Sequence, residues 1–169
     1  MDKAVVPELP LLAPEVYDEV AAVILEMGEQ FKNLDGPQPH TLFDPDEPAP
    51  QYLGEELPDW MIGWDALKWY FETPERFAYV DAMDYYPSNI RVRSLAPDLA
   101  LATWNVHAEM KFKNGPPMGE KLRAQGVFRK TKDGWKFIYY AESPKSTVTY
   151  VQDMYKAMAS DEFKAKFKK

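Results

Sequence analysis

The chain contains no cysteine. That removes disulfides, thiolate nucleophiles and zinc–thiolate sites. It has only two histidines, His40 and His107, and they fall in unrelated segments, so no histidine-based metal site is expected. Basic charge is also short. A formal net charge of -7 over 169 residues argues against nucleic acid and against anionic membranes, both of which select basic patches. No apolar run approaches the ~20 residues that span a membrane. Residues 1–7 lack the apolar core of a signal peptide, and a cytoplasmic protein is expected. The chain also lacks a glycine-rich phosphate loop, a dinucleotide fingerprint and the nucleophile elbow of a serine–histidine–acid triad. There is no internal repeat and no low-complexity segment.

Aromatic residues and proline are abundant: nine Phe, ten Tyr, five Trp and 15 Pro. Aromatic side chains bury large flat areas, so their density fits either a flat aromatic ligand or an oligomer interface. A hydrophobic content of 46% supports one core, and the length fits one domain.

The chain divides readily. Residues 1–13 are punctuated by proline and read as an extended arm. Pro14 suits the first helical position, and Glu15, Asp18 and Glu19 suit a helix N-terminus. Val16, Val20, Val23, Ile24, Met27 and Phe31 then recur at helical spacing, predicting a helix over 14–33 ended by Gly36 and Pro37. Residues 36–59 carry six prolines and many acids. That is long for a connection, and reads as an irregular loop or as a lid over a pocket, with Tyr52 able to reach inward. A second helix is predicted over 63–73, with Trp64, Leu67 and Phe71 on one side; Thr73-Pro74 ends it. Four antiparallel strands follow, at about 89–93, 99–112, 121–130 and 135–143. Asn114-Gly115 and Asp133-Gly134 supply turns. Strands this long must twist or curl, and the two helices are the natural filling of the hollow. Val148, Val151, Met154, Met158 and Phe163 predict a helical tail that packs on the domain or on a neighbouring subunit. The expected organisation is one domain over 1–145 with an N-terminal arm, extended by a helical 146–169.

This order resembles the nuclear-transport-factor-2-like superfamily, in particular its SnoaL-like and scytalone-dehydratase-like members. The resemblance rests on Ile62-Gly63-Trp64-Asp65-Ala66-Leu67, similar to a glycine-led second helix, and on the strand pair Ile90-Arg91-Val92-Arg93 and Asp98 to Thr103. It rests most on the closing hairpin. There Phe128-Arg129-Lys130-Thr131-Lys132 leads through Asp133-Gly134 into Trp135 to Ser143. The match covers about residues 14–146. It implies an α+β fold in which a curled antiparallel sheet wraps on N-terminal helices to form a cone-shaped barrel. It further implies small-molecule binding in the open end and, for many members, catalysis without any cofactor. The long proline-rich segment and the helical tail depart from a minimal member.

Several residues are candidates for such a site. His107 lies mid-strand and has the residue type suited to proton transfer near neutral pH; it resembles in position a pocket histidine of scytalone-dehydratase-like members. Asn105, His107 and Glu109 share one face of their strand, and Trp104, Val106 and Ala108 share the other. Hydrophobicity buries the second face, and a bulge can reset the parity. Arg91 and Arg93 share a face and read either as a solvated basic face or as cations for a phenolate or carboxylate. Arg123 is similar. Tyr139 and Tyr140 point to opposite faces, so one of them meets the pocket, and Glu142 shares a face with Tyr140. Trp64, Tyr85 and Trp104 read as core or as a slot for an aromatic ring. The catalytic set is therefore His107, Tyr140, Tyr139, Arg91 and Arg93, with Trp64, Trp104, Asn105, Tyr85, Arg123 and Glu142 binding substrate and no metal.

The function expected from the resemblance is a cofactor-free lyase acting by acid–base chemistry on an aromatic small molecule. In its sharpest form it removes formaldehyde from a lignin-derived diarylpropane diol to give a stilbene. The alternatives are a dehydratase or isomerase of a phenolic or polyketide-like substrate, or a non-catalytic binding or assembly module. A homo-oligomer, dimer or trimer, is expected in either case.

Overall fold

The computed structural model describes residues 14–35, 38–73 and 77–166. The expected arm over 1–13, the Gly36-Pro37 stop and Pro74 lie outside the described residues.

Helix α1 (Pro14–Lys32) forms where expected. Val20, Ile24, Met27 and Phe31 are its large buried apolar residues, on one face, as the 3.6-residue period requires. The helix lies against the sheet so closely that a Cβ on Gly28 would meet the Tyr85 carbonyl oxygen at 2.7 Å. Glycine is needed there for close approach. The second helix, α2 (Trp64–Glu72), buries Leu67, Tyr70 and Phe71.

The sheet has six strands. They are β1 (Gln51–Leu53), β2 (Met61–Ile62), β3 (Val80–Ala96), β4 (Leu99–Phe112), β5 (Pro117–Thr131) and β6 (Gly134–Pro144), in the order β2-β1-β6-β5-β4-β3. The last four form the expected antiparallel meander. The proline-rich segment contributes more than a loop: after a 3-10 turn at Pro39–Leu42 it lays β1 parallel to β6. Arg129 pins that segment, holding Asp44 and Glu47 at 2.9 Å each.

Two irregularities set which side chains face inward. On β3 the register shifts between Ser88 and Arg91, where Asn89 adopts φ 51, a conformation Asn tolerates better than most residues. On β6, Val127 pairs with Tyr139 and Phe128 with Phe137, so Ile138 is the extra residue of a bulge. Trp135 and Phe137 face the core before the bulge, and Tyr140 is buried after it. Strict alternation from Phe137 would have turned Tyr139 inward instead. The ring of Phe137 fills the space over Gly126, where a Cβ would lie 2.7 Å from it.

The tail forms α3 (Thr147–Met158) and α4 (Asp161–Ala165). Val148, Val151, Met154, Tyr155 and Met158 are exposed along α3. No helix among the described residues is long and apolar enough to cross a membrane.

Candidate functional site

The cone's hollow is closed at one end by Phe128, Trp135 and Phe137, all buried. Toward the other end a cavity of about 260 Å³ remains. Its wall is aromatic and apolar, with Phe31, Tyr52, Tyr70, Phe77, Tyr85 and Phe112 contributing rings. Glu55, Glu56, Glu120 and Glu142 also line it. No Trp, Lys, Arg or His is among the described lining residues.

The acids are held by a network of phenols and backbone. The Tyr85 and Tyr140 hydroxyls lie 2.7 Å apart, and either can donate to the other. Tyr140 donates a short hydrogen bond to Oε1 of Glu142, and Tyr85 reaches the same oxygen at 3.3 Å. The Glu55 amide N–H donates to the other oxygen, Oε2, at 3.2 Å. Tyr52 stacks on Tyr140 with ring centroids 5.1 Å apart and planes 7° from parallel, fixing the phenol from the side. Tyr70 donates to Glu56.

Burial and crowding shift these groups. Burial, opposed by the Tyr140 hydrogen bond, pushes Glu142 up to about 7. Burial, together with the hydrogen bond and charge of Glu55, pushes Glu120 up to about 8. Tyr85 and Tyr140 are raised well above the ordinary phenol value by burial and by the Glu142 charge. They therefore remain protonated donors at neutral pH. A carboxyl poised near 7 beside one poised near 8 is the arrangement from which acid and base roles separate.

The structure brings together Tyr85, Tyr140 and Glu142 from the residues singled out in the sequence. Trp104, 3% exposed, packs 5.8 Å from the Tyr140 ring. Trp64 stands elsewhere, donating its indole N–H to the Glu47 carbonyl at 2.9 Å. The remaining candidates lie on the outer face of the sheet. His107, with a side chain 44% exposed, pairs with Glu109 at 3.2 Å and stacks on Tyr86. Its expected place in the pocket does not match this orientation: Trp104, Val106 and Ala108 take the inner phase of β4, and no bulge intervenes between β4 and β5. Tyr139 is likewise outside, with Gln125 and Trp60. Arg91 and Arg93 are exposed. Arg123 donates to the Pro144 carbonyl at 2.7 Å, and it shares a shallow outer groove with Arg91 and Asn105.

Sequence reasoning passed over Glu55, Glu56, Tyr70 and Glu120. A signal existed for Glu120. It falls on the same strand phase as Leu122, Ala124, Gly126 and Phe128, an acid at the end of an apolar stripe.

This architecture, a curled and unclosed six-stranded sheet wrapped on helices with an acid-bearing hollow, is that of the nuclear-transport-factor-2-like α+β proteins. Residues 20–147 match the SnoaL-like domain, and the chain belongs to that family. No curated protein is similar enough to match it. Solved structures share its fold. A dehydratase candidate of the NTF2-like family from Streptomyces avermitilis superposes with a TM-score of 0.70 at 19% identity, covering 80% of this chain and 100% of that one. A scytalone dehydratase candidate from Novosphingobium aromaticivorans gives 0.66 at 15% identity, covering 76% and 83%. A ketosteroid isomerase-like protein from Erwinia carotovora atroseptica gives 0.63 at 20%, covering 79% and 99%.

Proposed function

We propose that the protein is a cofactor-independent lyase that eliminates a leaving group from a compact aromatic molecule by acid–base chemistry. The observation that carries this is the Glu142 carboxyl at the cavity wall, held by Tyr140, Tyr85 and the Glu55 N–H. Several polar groups converge among aromatic walls, and no tryptophan among the described residues lines the cavity. A binding or assembly module has no need of that arrangement. Dehydratase candidates among the proteins of the same fold agree with elimination.

Glu142, the less strongly raised of the two, gives up its proton before Glu120, so Glu142 is the base of the pair and Glu120 the acid. Glu142 takes a proton from the substrate carbon next to the leaving group. The electron pair forms the new double bond, the carbon–oxygen bond breaks, and Glu120 protonates the departing hydroxyl to give water. Tyr85 and Tyr140, each with one proton to donate, hold the Glu142 oxygen in place. The cavity of about 260 Å³ is below the ~300–1,000 Å³ typical of pockets enclosing drug-sized ligands. It fits one ring or a fused pair. Loss of formaldehyde from a diarylpropane diol requires the second ring to project from the mouth.

The test is direct. Purified protein, without added metal or coenzyme, is incubated with aromatic alcohols carrying a benzylic hydroxyl, and the absorbance of the conjugated product is followed. Turnover that falls by about 10²–10⁴ in Glu142→Gln is expected. Equal turnover in the two proteins would overturn the reading.

A further inference from the structure

The charge of the cavity wall limits what it can hold. Four carboxyl groups face the hollow, Glu55 and Glu56 from the turn after β1, Glu120 from β5 and Glu142 from β6. The other titratable groups that line or back it are phenols: Tyr52 from β1, Tyr70 from α2, Tyr79 before β3, Tyr85 from β3 and Tyr140 from β6. No lining residue among those described carries positive charge. A ligand carboxylate or phosphate would enter without a counter-ion, against several like charges, and would be rejected. A ligand cation meets the opposite situation, with carboxylates to pair with and the electron-rich faces of Phe and Tyr rings around it.

We infer that the ligand of this cavity is an aromatic amine bound as its ammonium cation, with the Glu55 and Glu56 carboxyl groups as its counter-charge. This specifies the substrate class of the proposed lyase and rests on the cavity being its active site. Burial, with the neighbouring Glu55 and Glu56 carboxyls, raises Glu120 and Glu142. A cation beside them favours the ionised form of Glu142, the lower of the two, while Glu120 keeps the proton that it gives to the leaving group. Binding therefore releases protons and strengthens with pH across the range in which Glu142 titrates. The ring sits among Phe31, Tyr52, Phe77 and Tyr85, and the amine lies toward the turn that carries Glu55 and Glu56.

Three para-substituted phenols that differ in charge decide the matter by titration calorimetry: tyramine, a cation; 4-ethylphenol, neutral; and 3-(4-hydroxyphenyl)propanoate, an anion. At pH 8 tyramine is expected to bind at least tenfold more tightly than 4-ethylphenol, and the propanoate more weakly than either. Tyramine affinity should rise by up to tenfold per pH unit between pH 6.5 and 8, with proton release visible as a dependence of the heat on buffer ionisation enthalpy. The Glu55→Gln/Glu56→Gln variant should lose most of the preference for tyramine over 4-ethylphenol. A preference kept by that variant, or 4-ethylphenol binding as tightly as tyramine in the unmodified protein, overturns the amine assignment and leaves the acid–base reading of the cavity standing. Binding of none of the three overturns both.

Discussion

The hydroxyl of Tyr85 lies 2.7 Å from that of Tyr140, 55 positions away in the chain. The contact joins β3 to β6 across the hollow, and both phenols converge on the same Glu142 oxygen. Two strands that are not neighbours in the sheet are thus tied by one proton-handling network. The bulge at Ile138 makes it possible, because it alone turns Tyr140 inward.

Tyr140→Phe tests that network. The Tyr140 hydrogen bond is the largest influence holding Glu142 down against the effect of burial. Losing it moves the Glu142 carboxyl above about 7, and the acid limb of the kcat/KM profile should move to higher pH with it. The pH-independent rate should fall by roughly ten- to a hundredfold, with a stability cost of about 1 kcal/mol for the lost hydrogen bond. A pH–rate profile with its limb unmoved would remove Tyr140 from the control of Glu142.

Stability should fall as pH rises. Glu142 is raised from 4.5 to about 7 in the folded chain, and Glu120 from 4.5 to about 8. Between those values the folded protein keeps protons that the unfolded chain has released, so protons favour the fold there. The benefit is complete near pH 4.5 and is lost progressively through pH 7 to 8. For Glu142 alone the loss is about 3 kcal/mol, equivalent to a Tm decrease of about 5–10 °C for a chain of this size. Thermal melts at pH 4.5 and 8.5 measure it. Glu142→Gln, which cannot ionise, should show a smaller decline than the unmodified protein.

The fold was readable because its signals are local. The apolar spacing of α1 and the turns at Asn114-Gly115 and Asp133-Gly134 each act over a few residues, and the long strands between them leave a curled sheet as the compact solution. The inward face of the site was less readable, because it depends on bulges that only strand pairing reveals. One extra residue on β6 decides between Tyr139 and Tyr140, and nothing in Ile138 itself marks it. On β4 no bulge intervenes, and plain hydrophobicity, with Trp104, Val106 and Ala108 inward, was the better guide than the chemical appeal of a histidine. Glu55 and Glu56 reach the cavity only because β1 adds to the sheet beside β6, a long-range pairing of three residues that no periodicity announces.

His107→Ala should therefore leave turnover within about twofold of the unmodified protein. The ring is on the outer face of β4, paired with Glu109 and stacked on Tyr86, and it does not line the cavity. Exposed substitutions of this kind change stability by about 0.5 kcal/mol or less. Steady-state kinetics on the same substrate used for Glu142→Gln provide the check. A loss of tenfold or more would mean that the outer groove, not the cavity, is where the chemistry occurs.

Arg129→Met should be among the more destabilising single changes in the chain. The Asp44 side chain is 2% exposed, and Arg129 is its ionic partner at 2.9 Å. Asp44 also accepts the Asp46 N–H at 3.0 Å, but that bond does not neutralise a buried carboxylate. Stranding a buried carboxylate whose partner was itself about a third exposed costs roughly 2–3 kcal/mol, less than for a fully buried pair, or a Tm decrease of about 5–10 °C for a chain of this size. The double variant Arg129→Met/Asp44→Asn, with no charge left to strand, should recover more than half of that loss. The consequence reaches the site, because Asp44 anchors the segment that continues into β1 and the turn carrying Glu55 and Glu56. Arg129→Met should therefore weaken ligand binding as well as stability, and the double variant should restore both together. Recovery of the Tm without recovery of binding would show that the arginine positions the segment by its shape and hydrogen bonds rather than by cancelling the buried charge.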